Sequence, residues 1–262
     1  MSLNNARVNT AMHETRKRRI FDLLRSQGTV QVAELTRLLE VSDMTVRRDL
    51  RSMAAEGLLR PVHGGAVALG SLGEEKSFAA RQVVERERKE AIAREVVRLL
   101  KDGETLYLDG STTCAELARL LAGRRHVVIT DSLSVLTELH GAPGIELVLL
   151  GGSLDRDGNT FDGLLAVEST RRVQVDCCLF SAKGFSPEGV SNAGMTGSQV
   201  KRIMIQGARR AFLLADSTKY GRSGVVRLCG WPEVDVLVTD DGLPEEARQI
   251  IRREGAEVRI AV

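Results

Sequence analysis

Three segments of this sequence gather the residue types that hold an anion. Leu108-Asp109-Gly110-Ser111-Thr112-Thr113 leads from a β-prone run into a helical one. Thr130-Asp131-Ser132 follows a second such run, with Ser132 placed to cap the next helix, and Leu150-Gly151-Gly152-Ser153 follows a third. Glycine lets the backbone come close to a ligand, and hydroxyls with the open N–H groups of a helix start suit a phosphate. Cations would complete such a site. The candidates are Lys183 in S-A-K-G-F, Lys201 at the start of an expected helix over 201–208, and Lys219 in A-D-S-T-K-Y, which Asp216 is placed to orient. A lysine is a compact charge suited to a mobile phosphate ligand. Each loop alone also fits a chain that merely has to turn, and each lysine a solvated surface. Recurrence in three loops points to a shared oxyanion site.

A second group could grip a different anion. In the run Asp43-Met44-Thr45-Val46-Arg47-Arg48-Asp49-Leu50-Arg51, a helical wheel puts Val46, Leu50 and Met53 on one face. Arg48 and Arg51 point the opposite way, with Thr45 and Arg47 on the flanks. Guanidinium groups so presented bridge phosphates or pair bidentately with guanine, and a threonine touches a base edge or a phosphate. Solvated arginines on a small bundle are the plainer alternative.

The order of the surrounding elements favours nucleic acid. Ile20, Leu23 and Leu24 stripe a first helix that should end at Gly28, and Thr29-Val30 is a short strand. Val32, Leu35, Leu38 and Leu39 form the inner face of a second helix. After a break at Val41, Ser42 is placed as N-cap of the arginine-bearing helix, with Asp43 near its positive end. Leu58–Val62 and Ala66–Leu69 then flank His63-Gly64-Gly65 as a glycine-tipped hairpin, a wing that carries Arg60 and His63 towards the backbone or minor groove. Asp49 is expected to hold an arginine rather than read a base.

Beyond Gly70–Glu75, which reads as a hinge, the pattern alternates. A helix over 85–101 with Ile92, Val96 and Leu99 inward precedes apolar runs at 105–108, 127–130, 145–150, 175–180, 210–215 and 234–239, with helical segments such as 115–121 and 199–208 between most of them. Alternation of this kind implies a mainly parallel sheet covered by helices, with ligands beyond the carboxyl ends of its strands. The expected domains are a winged helix-turn-helix over 14–70, a linker over 71–84 and an α/β sensor domain over 85–262.

Bulk properties agree. The chain has 262 residues and a net charge of +2; residues 1–65 carry 11 Lys+Arg against 7 Asp+Glu, the remainder 26 against 28. A basic front on a slightly acidic body suits an anionic partner for the front. No run is long enough for a membrane span and no signal sequence is visible, so a cytoplasmic location is expected. Cys114, Cys177, Cys178 and Cys229 and the four histidines lack metal-ligand spacing. No metal, cofactor or catalytic residue is expected.

These motifs carry a family resemblance. V-S-D-M-T-V-R-R-D-L at 41–50 and G-L-L-R-P-V-H-G-G-A at 57–66 resemble the DNA-binding end of DeoR-type regulators. The D-G-S-T-T loop, L-L-G-G, V-K-R-I-M-I at 200–205, L-L-A-D-S-T-K-Y at 213–220 and V-D-V-L-V-T-D at 234–240 resemble their sensor domain. The resemblance implies Thr45, Arg47 and Arg48 as the main DNA contacts. It also implies a sensor fold similar to ribose-5-phosphate isomerase, a phosphorylated sugar as effector, a homo-oligomer, and in most members repression that the ligand relieves. Lys183 stands where a small residue is commoner, and Met195-Thr196-Gly197-Ser198-Gln199 lacks the usual acidic residue. The competing reading is a sugar-phosphate isomerase or acyl transferase with Asp109, Asp131 or Asp216 as base; the missing acid ahead of Lys201 argues against it.

Overall fold

The computed structural model describes residues 15–24, 29–56, 58–62, 64–68, 78–155 and 158–262. The chain divides into two compact units between Arg81 and Gln82. Among the described residues no helix is long and apolar enough to cross a membrane.

In the first unit, α1 covers 15–24, followed by β1 (Thr29–Gln31), α2 (Val32–Leu39), α3 (Asp43–Ala55), β2 (Leu59–Val62) and β3 (Gly65–Ala68). The strands form an antiparallel sheet in the order β1-β3-β2. Its core joins Ile20 and Leu24 of α1 to Val32 and Leu35 of α2, Val46, Leu50 and Met53 of α3, and Leu59 and Ala66 of the hairpin. The apolar face read for α3 is therefore the buried one. Leu38 corrects the reading of α2: it is 49% exposed, because at helical spacing it falls to one side of the face that Val32, Leu35 and Leu39 turn to the core.

Gly65 sits where β3 meets β1, and a Cβ there would lie 2.1 Å from the Val30 carbonyl oxygen. Gly65→Ala is expected to destabilise the first unit by about 1–3 kcal/mol through this overlap with backbone. Chemical denaturation followed by circular dichroism measures it; an unchanged midpoint would show that β1 does not pair here.

The second unit begins near α4 (Phe78–Val83), which occupies part of the stretch read as linker; residues 71–77 lie outside the described residues. There follow α5 (Arg86–Leu99), β4 (Thr105–Leu108), α6 (Thr112–Leu121), β5 (His126–Thr130), α7 (Leu133–Leu139), β6 (Ile145–Leu149), β7 (Ser153–Asp155), β8 (Thr160–Asp162) and α8 (Leu164–Thr170). The chain continues through β9 (Cys177–Phe180), β10 (Gly184–Ser186), β11 (Gly189–Asn192), α9 (Thr196–Gly207), β12 (Arg210–Leu214), β13 (Val226–Cys229), β14 (Val236–Asp240), α10 (Glu245–Arg253) and β15 (Glu257–Ala261).

Seven strands form one parallel sheet in the order β15-β14-β12-β9-β4-β5-β6. Alternation along each strand sends residues to two cores. Leu106, Leu108, Cys177 and Leu179 meet α5, α6 and α7. Tyr107, Cys178 and Phe180 meet Val200 and Met204 of α9 and Ile251 of α10. Burial on both faces explains why the strands read as apolar runs.

The strand order fixes the site. The chain builds outward from β4 through β5 to β6, returns to lay β9 on the other side of β4, and builds outward again through β12. Connections after β4 and β9 therefore diverge, leaving a crevice beyond their carboxyl ends, where ligands of open α/β sheets bind.

Candidate functional site

Asp109 ends β4 at this crevice and is fully buried. Its carboxylate accepts from the Ser111 N–H at 3.0 Å and the Ser181 N–H at 2.9 Å, and its Oδ2 lies 2.7 Å from Lys201 Nζ. Burial raises the Asp109 carboxyl, but the Lys201 ammonium and these hydrogen bonds outweigh it and hold it below the usual carboxylate range. Burial likewise lowers Lys201, and the Asp109 charge more than restores it. Both are charged at neutral pH.

Ser181, just past β9, gathers the cations. Its carbonyl accepts from Lys201 Nζ at 3.1 Å and its Oγ from Lys219 Nζ at 2.7 Å, while the same hydroxyl donates to the Leu214 carbonyl at 2.6 Å. Lys219 closes the short 3-10 turn Ser217–Lys219, whose cap is Asp216, an acceptor from the Thr218 N–H. Lys201 stands on the second turn of α9 rather than at a helix start, because α9 begins five residues earlier, at Thr196. Lys183 is exposed.

Asp131 ends β5 next door. It is 1% exposed and accepts from the Tyr107 hydroxyl at 3.0 Å. Burial, then the Asp109 charge, push it up to about 7, against the opposing pull of Lys201 and Tyr107; Asp162 adds to the rise. The cluster thus holds one fixed ion pair and one carboxyl poised near neutrality.

Helix starts complete the floor. Ser111 caps α6 by accepting from the Cys114 N–H, and Ser132 caps α7 by accepting from the Val135 N–H. Thr112 and Thr113 are buried, and among the described residues Thr113 Oγ1 has no hydrogen-bond partner. The third loop is built differently: Gly151 and Gly152 turn the chain from β6 into the β7–β8 hairpin. That hairpin folds back over the other two loops. The Phe161 N–H donates to the Asp131 carbonyl at 2.7 Å, the Leu133 N–H to the Asn159 carbonyl at 3.0 Å, and a Cβ on Gly110 would lie 2.0 Å from Thr160 Cγ2.

In the first unit, Ser42 caps α3, accepting from the Thr45 N–H at 3.3 Å, and its hydroxyl meets the Thr45 hydroxyl at 2.9 Å. Arg48 and Arg51 are exposed on the face opposite Val46 and Leu50. Arg47 is tied to Asp43 at 2.5 Å. Asp49 is buried and holds an arginine, Arg16 of α1, at 2.8 Å. Arg60 belongs to β2, but its side chain, like His63, lies outside the described residues.

Sequence comparison decides the family. The pattern described as "DeoR-like helix-turn-helix domain" matches residues 16–71, and that described as "DeoR C terminal sensor domain" matches residues 84–241. The chain belongs to the DeoR family. Among its DeoR-type relatives, the HTH-type transcriptional regulator GolR of Listeria innocua serovar 6a is 34% identical over 248 residues, covering 94% of this chain and 98% of that protein. The transcriptional repressor AccR of Agrobacterium fabrum is 32% identical over 246 residues, 90% of this chain and 95% of that one. The lactose phosphotransferase system repressor of Lactococcus lactis subsp. lactis is 31% identical over 230 residues, 86% and 90% respectively. All three are regulators, and this DeoR chain is a regulator rather than an enzyme. Among solved structures, ribose 5-phosphate isomerase A of Methanocaldococcus jannaschii is 20% identical, covering 52% of this chain and 54% of that one with a TM-score of 0.39.

Sequence reasoning missed Tyr107, Ser181 and Asp162 as members of the cluster around Asp109 and Asp131. Tyr107 sat within an apolar run whose facing could not be read without its neighbours. Ser181 carried a signal of the same kind as Ser111, a hydroxyl just past a strand.

Proposed function

We propose that this chain is a cytoplasmic repressor of a carbohydrate-metabolism operon. It binds a double-stranded operator through the winged helix-turn-helix over 14–70 and a phosphorylated sugar, or a related phosphorylated metabolite, through the sensor domain over 85–262. The observation that carries the reading is the crevice at the strand-order reversal, where Ser181 brings Lys201 and Lys219 together beside the helix start at Ser111-Thr112-Thr113. An oxyanion there meets lysine charge, open N–H groups and hydroxyls. Asp109 and Asp131 supply acceptors for sugar hydroxyls, and Gly110, Ser132, Gly151 and Gly152 shape the rim. The likeness to the lactococcal lactose phosphotransferase system repressor supports a carbohydrate effector.

On the DNA side, Thr45, Arg48 and Arg51 face the major groove from α3, with Ser42 at its start. Arg47 reaches a phosphate only by leaving Asp43. Arg48→Ala is expected to weaken operator binding by about 1–3 kcal/mol if Arg48 grips a base. Footprinting and gel shift over a salt series measure it; unchanged affinity would remove Arg48 from the interface. The effector acts by favouring one arrangement of a homo-oligomer over another, by its differential affinity for the two.

The test of the sensor reading is a thermal-shift comparison of matched phosphorylated and free sugars. A hundredfold excess over the dissociation constant stabilises the native state by ~2.7 kcal/mol. Stabilisation by one phosphorylated sugar and not by its free form is expected. No shift with any phosphorylated sugar would overturn the effector class while leaving DNA binding standing.

A further inference from the structure

The first unit carries a groove that neither DNA nor effector uses in this scheme. Arg19, Asp22 and Leu23 share one face of α1, and with Leu38 and Leu39 at the end of α2 they line a groove of about 290 Å³. Leu38 is 49% exposed, a large apolar side chain turned away from the core its helix otherwise serves. Among the described residues neither Arg19 nor Asp22 has an ion-pair partner. One cation and one anion flank an apolar floor, a patch complementary to itself. Under a two-fold axis Arg19 of one copy meets Asp22 of the other, and the reverse, while the two Leu38 side chains pack together.

We propose that this groove is the contact through which the DNA-binding units of two copies of this chain pair. The inference rests on the operator-binding reading: a helix-turn-helix dimer needs its two recognition helices about one helical turn of DNA apart, roughly 34–36 Å, and a contact between the two units would hold them in a fixed relation. A second copy is the occupant the charges select, since a purely apolar segment would leave both Arg19 and Asp22 unanswered. The contact is small and its ion pairs are exposed, so it is weak by itself and forms between copies already held together in the homo-oligomer proposed above.

Leu38→Cys in the full chain tests this directly. All four native cysteines are buried, so the new thiol has no accessible partner within its own chain. On mild oxidation with copper-phenanthroline, most of the Leu38→Cys chain is expected to run at twice its mass. A Met44→Cys control, 77% exposed on α3, is expected to stay at single mass. In the Leu38→Cys background, Arg19→Asp or Asp22→Arg alone is expected to lower the cross-linked fraction several-fold, and the two together to restore it. A Leu38→Cys chain that stays at single mass overturns the proposal, whether its thiol labels freely with maleimide or is shielded by another segment. Cross-linking indifferent to the charge reversals overturns it equally. Neither outcome depends on DNA or on the effector, so failure here and failure of the operator-binding reading, which gel shift reports, are told apart.

Discussion

Lys201→Met is expected to destabilise the C-terminal unit by about 3–5 kcal/mol, and Asp109→Asn/Lys201→Met to recover part of that loss. The asymmetry follows from burial. Asp109 has no exposed surface, and Lys201 is its counter-charge at 2.7 Å. Removing the lysine leaves a carboxylate held by two backbone N–H groups in a low-dielectric crevice; removing both charges leaves a neutral amide whose single oxygen accepts from one of those N–H groups while its NH2 faces the other. The pH dependence separates the two variants. In the wild type the folded-state pKa of Asp109 is depressed, so its stabilisation is present above the unfolded value of 3.8 and is lost as pH falls through the folded one. Without Lys201 only the Ser111 and Ser181 N–H groups resist burial, so the carboxyl rises, and the Lys201→Met protein gains stability as pH falls through the raised value towards 3.8. Urea denaturation at several pH values measures both slopes. Equal stability of the single and double variants would show that the ion pair is not formed. The double variant also serves the function: a folded protein that still binds operator but ignores the effector assigns the loss to the Asp109–Lys201 pair as ligand contacts rather than to collapse of the crevice.

Much of this was legible in the sequence, and what was not has physical causes. The periodicity of α3 named its buried face because one apolar stripe packs on one core, so Val46, Leu50 and Met53 could be placed without a neighbour. Leu38 could not, since a two-turn helix with four apolar positions does not reveal which three of them share the buried face. The parallel sheet followed from alternating elements, but the edge strand β15 was hidden because Glu257 and Arg259 alternate with apolar residues and make no continuous run. The hairpin β7–β8 was hidden for the converse reason: three-residue strands carry no periodic signal. The reversal of strand order between β4 and β9 is a long-range property, and with it went the meeting of Asp109 and Ser181, 72 residues apart. Loops at strand ends could be listed from sequence, but which two of them border the crevice could not.

Asp131→Asn is expected to flatten a pH dependence that the wild type shows between about 4 and about 7. The folded-state value of Asp131 is raised to about 7 from 3.8, so within this window the folded protein keeps a proton that the unfolded chain has released. Stability therefore falls as pH rises, by as much as ~1.4 kcal/mol per pH unit, until the folded carboxyl also ionises. The groups that face it set this behaviour: Asp109 and Tyr107 from β4, Asp162 from β8, and Lys201 from α9. Asparagine keeps the shape and the acceptor for Tyr107 but has no proton to lose. The same titration bears on the effector. Above pH 7 an ionised Asp131 adds a second negative charge to a crevice proposed to take an oxyanion, so affinity for a phosphorylated ligand should drop several-fold between pH 6 and pH 8. The phosphate's own second ionisation moves in this range too, and the Asp131→Asn protein, titrated with the same ligand, subtracts it. A pH profile identical in the two proteins would place the ligand's charge away from Asp131. A steeper fall in the wild type would make effector release from this regulator, and with it the state of its operator, sensitive to pH near neutrality.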